Sequence, residues 1–149
     1  MKSWTLLTLI LITFSVGAFF SSGIHFSFTK NNRPPTDGIH WERSLESSLL
    51  EAKAKHRMVF VDFYADWCSY CKQMDAVSYQ DPKVVKLSEE FICTKVNVDK
   101  EKKLAQEFQV DGLPTLVFME PSTGKMKRFE GYLPPSSLVS VMNKLANLR

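Results

Sequence analysis

Apolar residues recur along this chain first at helical spacing and then in short unbroken runs. Trp41, Leu45, Ser48, Leu49 and Ala52 fall on one face of a 3.6-residue period, which predicts an amphipathic helix over 40–55. Residues 58–64 are continuously apolar apart from Asp62, the pattern of a strand buried on both faces. A helix is predicted over 69–78. Asp81-Pro82 supplies a cap followed by proline at the first helical position, opening a helix that runs to about residue 90. The stretch 92–98 reads as a strand and 100–108 as a helix that ends before Asp111-Gly112. Two further strands, 115–119 and 126–130, flank the turn Pro121-Ser122-Thr123-Gly124. After Pro134-Pro135, the spacing of Leu138, Val141, Met142 and Leu145 marks a closing helix. Helices alternating with strands, and a final hairpin, predict an α/β fold: a central mixed β-sheet with helices on both faces.

The beginning of the chain follows a different rule. Residues 3–29 contain no Lys, Arg, Asp or Glu, and the stretch 4–20 is largely apolar behind Lys2. Residues 1–29 therefore read as an export signal or a membrane anchor. Val16-Gly17-Ala18 and Ser21-Ser22-Gly23 would both serve as cleavage sites. Residues 30–38, with Pro34 and Pro35, form a polar linker, leaving 39–149 as one domain. Delivery across a membrane would place that domain where protein disulfides exist.

Charge narrows the function classes. The formal net charge is +3, from 19 basic and 16 acidic residues, and without Lys2 and Lys30 the balance is 17 against 16. No basic stripe interleaved with aromatics remains, which argues against nucleic-acid binding. A hydrophobic content of 44% supports a core without disulfide staples, and three cysteines cannot build a bridged framework. Cys93, inside a strand-like run, reads as a small buried hydrophobe.

The other two cysteines carry the chemistry. Cys68-Ser69-Tyr70-Cys71 follows the apolar run directly, so the pair sits where a buried strand gives way to a helix. At a helix N-terminus, free amides and the helix dipole favour a thiolate, which makes Cys68 the nucleophile and Cys71, about one turn in, the resolving cysteine. Gly112-Leu113-Pro114-Thr115 is a candidate cis-proline loop. A trans proline opening a strand is the alternative. Zinc is the competing use of a Cys-x-x-Cys pair, but it needs four ligands. No second pair exists, and His25, His40 and His56 lie in the leader or the first helix region.

The run from Val61 to Lys72 together with Gly112-Leu113-Pro114-Thr115 resembles the thioredoxin superfamily. Phe63-Tyr64-Ala65-Asp66-Trp67-Cys68, Asp81-Pro82-Lys83-Val84 and Gly131-Tyr132 bring it nearest to the C-terminal thioredoxin-like domain of the membrane disulfide reductase DsbD and its stand-alone exported relatives. The resemblance spans about residues 39–148. It implies a thioredoxin fold and a redox-active Cys68–Cys71 disulfide. It also implies that Asp62 is a buried acid moving a proton to or from Cys71, and that Lys95 pairs with it. The plain alternatives are an Asp62 at a strand end facing water and a Lys95 on the surface. By the same resemblance Pro114 faces the cysteines, with Leu113 and Thr115 aligning an extended substrate. Trp67 reads as an apolar platform covering the site, with a plain core aromatic as the alternative, and Tyr70 is a further substrate-binding candidate. Ser69-Tyr70 adds no cation to stabilise a thiolate further, which favours a reductase or exchange catalyst over a strong oxidant. The expected partners are protein disulfides or thiols and an upstream electron donor such as a membrane disulfide reductase. No organic cofactor or metal is implied, and the expected state is a monomer. The rival reading is a thioredoxin-shaped binding or assembly module for one envelope client, for example in cytochrome maturation.

Overall fold

The computed structural model describes residues 38–148, so the leader and nearly all of the linker lie outside the described residues. Five strands, β1 (Trp41–Glu42), β2 (Met58–Tyr64), β3 (Phe91–Asn97), β4 (Thr115–Met119) and β5 (Met126–Glu130), form one sheet in the order β1-β3-β2-β4-β5. β3 pairs in parallel with β1 and β2, whereas β4 is antiparallel to both β2 and β5. The helices are α1 (Leu45–Lys55), α2 (Ser69–Ala76), α3 (Pro82–Ser88), α4 (Lys102–Glu107) and α5 (Pro135–Ala146). This is the thioredoxin fold, with a mixed five-strand sheet.

The alternation of side chains along β2 sorts the core into two layers. Phe60 packs with Met74, Val84, Phe118, Leu138 and Met142, beneath α2, α3 and α5. Val59, Val61 and Phe63 point the other way and pack with Leu45, Ala52 and Val117, beneath α1 and α4. Phe60 and Phe118 stack across the β2–β4 ladder with ring centroids 4.6 Å apart and planes inclined by 5°. Asp62 shares the face of Phe60. The one acid of β2 is thus turned into the layer under α2 and is 1% exposed.

Local chemistry sets the ends of the elements. Asp81 Oδ1 accepts the N–H groups of Lys83 and Val84 at 2.8 and 3.3 Å, with Pro82 opening α3 as its sequence dictates. The predicted helix over 40–55 is corrected at its start. Ser44 caps α1 by accepting Ser47 N–H at 3.1 Å, and Trp41 pairs instead with Cys93 in a parallel ladder. Trp41 therefore faces Tyr79 and Phe60 from a strand, with ring centroids 5.2 and 5.8 Å away. α2 stops at Ala76, and a 3-10 turn over Ser78–Gln80 follows. Among the described residues, no helix is long and apolar enough to cross a membrane.

Removing the Phe118 ring leaves a cavity in a layer filled by interlocking aromatics. Phe118→Ala is expected to cost about 3–5 kcal/mol in urea unfolding. A loss below about 1 kcal/mol would show that this stack does not hold the core together.

Candidate active site

β2 ends at Tyr64, and the turn that follows returns Cys68 N–H to Ala65 O at 3.1 Å. This puts Cys68 at the N-cap of α2, where its Sγ accepts the Cys71 N–H at 3.1 Å. Cys68 and Cys71 are joined by a disulfide, with Cα atoms 5.3 Å apart. Both are almost wholly buried, at 5% and 3% exposed, and they differ in what they border. Cys68 lines an open groove of about 350 Å³ together with Trp67, Ser69, Tyr70, Val98 and the segment 110–113, whereas Cys71 is not part of that lining.

One wall of the groove is aromatic. Trp67 and Tyr70 are 70% and 59% exposed. Trp67 is held despite its exposure, because its indole N–H donates to Asp99 Oδ2 at 2.9 Å. Asp99 is itself placed by its N–H donating to Asn97 Oδ1 at 3.0 Å, and Val98 N–H returns to Tyr64 O at 2.9 Å. The opposite wall leads into the Leu113–Pro114 bond, which is cis. Leu113 lines the groove and packs against the cysteine cluster. Pro114 and Thr115 do not line it. Both are buried, and the Thr115 hydroxyl donates to Gly112 O at 2.7 Å, so this side chain secures the loop.

Beneath the sheet surface, Asp62 and Lys95 occupy paired positions in the β2–β3 register, and Lys95 Nζ lies 3.4 Å from Asp62 Oδ2. Lys95 also pairs with Asp75 of α2. Its ammonium sits over the rings of Tyr64, Trp41 and Tyr79, at 4.8, 5.3 and 5.4 Å from their centroids. Neither Asp62 oxygen makes a hydrogen bond of normal geometry. Burial pushes the Asp62 carboxyl up to about 6, against the opposing pull of the Lys95 charge and the Tyr79 hydroxyl. Burial also pushes the Tyr79 hydroxyl and the free Cys93 thiol well up. Cys93 is thus a buried thiol whose Sγ contacts Ser88 O at 3.7 Å.

Five participants were not among the sequence candidates: Asp75, Tyr79, Trp41 and Tyr64 around Lys95, and Asp99 behind Trp67. Asp75 had a usable signal, since it lies four residues after Cys71 and so one turn further along α2.

Comparison with known proteins agrees with this geometry. The thioredoxin-like domain family matches residues 45–146. The chain is similar to protein disulfide isomerase-like 5-2 of rice, at 44% identity over 84 residues, covering 56% of this chain and 20% of the relative. It is also similar to the thiol:disulfide interchange protein DsbD of Haemophilus influenzae (strain PittGG), at 30% identity over 100 residues, covering 63% of this chain and 17% of the relative. The chain thus spans about a fifth of the length of these curated relatives. Among solved structures, a thioredoxin from Thermus thermophilus aligns with a TM-score of 0.64 at 32% identity, covering 72% of this chain and 87% of that one.

A carboxyl that titrates near 3.8 when unfolded and near 6 when folded binds its proton more tightly in the folded state. Its stabilising contribution is complete below pH 3.8 and is lost as the pH rises through about 6. Relative to Asp62→Asn, the disulfide form of the native sequence is expected to lose on the order of 3 kcal/mol across that window. Urea unfolding at a series of pH values measures the difference, and parallel profiles for the two proteins would refute it.

Proposed function

The chain belongs to the thioredoxin-like family of thiol–disulfide oxidoreductases, and on that premise we propose that it reduces or exchanges disulfides of protein clients outside the cytoplasm. The observation that carries the proposal is the asymmetry of the pair: Cys68 lines an open groove and Cys71 does not. In the dithiol form, the Cys68 thiolate, favoured by the α2 N-terminus, attacks one sulfur of a client disulfide. A mixed disulfide forms and one client thiolate leaves. Cys71 then loses its proton to Asp62 and attacks Cys68 Sγ. The internal disulfide closes, the second client thiolate leaves, and two electrons have passed from the protein to the client.

Asp62 suits the proton step because burial holds its carboxyl near neutrality, where it both takes up and releases a proton. Lys95 keeps the ionised form from being prohibitive. Trp67, Tyr70 and Leu113 provide the contact surface, and the main chain at Leu113, just ahead of the cis bond, aligns the client, with Pro114 and Thr115 holding that loop from behind. No organic cofactor enters the cycle, which needs a dithiol donor to reopen the disulfide. A membrane disulfide reductase fits that need, and residues 1–29, read as a signal or anchor, would bring a monomeric domain to such a donor.

Full-length protein with Cys68→Ser is expected to lose insulin disulfide reduction, whereas Cys71→Ser should retain the first attack and accumulate client mixed disulfides on non-reducing gels. Activity that survives Cys68→Ser would reject the exchange cycle in favour of a binding module. Asp62→Asn is expected to slow closure of the internal disulfide by about a hundredfold and to remove the inflection near pH 6 from its rate profile. An unchanged profile would remove Asp62 from the proton step.

A further inference from the structure

α4 is stopped by a left-handed residue that is not glycine. Gln109 has φ +51°, a conformation that costs a residue bearing a Cβ about 1–2 kcal/mol. The bonds around it are those of a Schellman stop: Gln109 N–H donates to Gln106 O at 2.9 Å and Val110 N–H to Ala105 O at 3.0 Å. That pattern leaves the carbonyls of Phe108 and Gln109 outside the helix ladder. Arg128 of β5 supplies their donors. Its Nη1 donates to Gln109 O at 2.8 Å and its Nη2 to Phe108 O.

The reach follows from the ladder. Arg128 lies opposite Val117 of β4, and Val117 belongs to the layer that holds Phe63, Leu104 and Phe108 under α4. A planar fork presents two parallel N–H groups to two successive carbonyls, a geometry that a point-charge ammonium does not reproduce, and a cation suits a helix C-terminus. Glu130 Oε1, 3.8 Å from Nη1, accompanies the fork.

The segment that leaves this clamp is the groove wall. Val110, Asp111, Gly112 and Leu113 follow directly and face Cys68 across the opening. Their far end is held by Thr115 Oγ1 donating to Gly112 O at 2.7 Å and by Gly131 N–H donating to Pro114 O at 2.8 Å. Arg128 holds the near end and does not itself line the groove.

We propose that Arg128 is a positioning residue for polypeptide recognition, fixing from β5 the wall 110–113 against which an incoming chain lies. This rests on the reading of the groove as a polypeptide site. A client that lies along the wall depends on its position, whereas a small disulfide that meets only Cys68 does not. A merely structural Arg128 would affect both alike.

The test uses full-length Arg128→Ala and Arg128→Lys, each assayed with insulin and with hydroxyethyl disulfide, together with amide hydrogen exchange over 110–113. Arg128→Ala should raise KM for insulin about tenfold, with kcat and the small-disulfide rate within about twofold of the native protein. Exchange at 110–113 should quicken. Arg128→Lys, which keeps the charge but not the planar fork, should recover part of the KM. An unchanged insulin KM, or equal losses on both substrates, would overturn the proposal. If Arg128→Ala does not fold, Arg128→Lys decides: a raised insulin KM with an unaltered small-disulfide rate supports the clamp, and an unaltered KM overturns it. If the native protein reduces no insulin, the client reading fails, while the exchange data still judge the clamp. Faster exchange at 110–113 upholds it and unaltered exchange rejects it.

Discussion

A carboxylate set into the middle strand of a sheet and almost wholly removed from water is the constraint around which this molecule is arranged. Desolvation makes an ionised Asp62 costly, so a compensating charge has to reach it. Lys95 does so from the adjacent strand, and the lysine in turn needs company. Trp41 of β1, Tyr64 of β2, Tyr79 of the 3-10 turn and Asp75 of α2 provide it. One buried acid therefore ties together three strands, a turn and the helix that carries the cysteines. Replacing a buried ion pair with packed hydrocarbon is often neutral or stabilising. On the proposed cycle, this cluster is chemistry maintained at the expense of stability, with its carboxyl held near neutrality.

The groove shows the complementary strategy. Trp67 is a large apolar surface left in water, yet its indole N–H is fixed to Asp99, and Asp99 is fixed by Asn97. An anchored ring loses less freedom when covered than a mobile one, so its contact energy is retained on association. The opposite wall is held at both ends, by Arg128 on one side and by Thr115 and Gly131 on the other. Both walls of the groove are thus set before anything occupies it.

Features carried by neighbours in sequence were legible in advance. The apolar run with one acid, the Cys-x-x-Cys pair behind it, the Asp81-Pro82 cap and the Leu113-Pro114 loop are local, and each appears where its chemistry requires. Features that depend on pairing between distant segments were not. Trp41 extends a helical period in sequence, but Ser44 caps the helix behind it and β3 offers an edge that captures it. Lys95 could be assigned to the surface or to Asp62 from sequence, and only the β2–β3 register distinguishes the two. Arg128 looks like an ordinary charged residue on a half-exposed strand. Its fork onto α4 exists because β5 is last in the pairing order, beside β4, which sets Arg128 opposite Val117 of the layer under α4.

The pairing order also determines what borders the sheet. On one side stands β1, two residues long, and on the other β5, whose run Met126-Lys127-Arg128-Phe129-Glu130 carries three charged residues in five. A very short margin and a charged one are both poor templates for lateral hydrogen bonding by another backbone. The molecule therefore resists growing into a ribbon of stacked copies, even though its interior is rich in strand-forming residues.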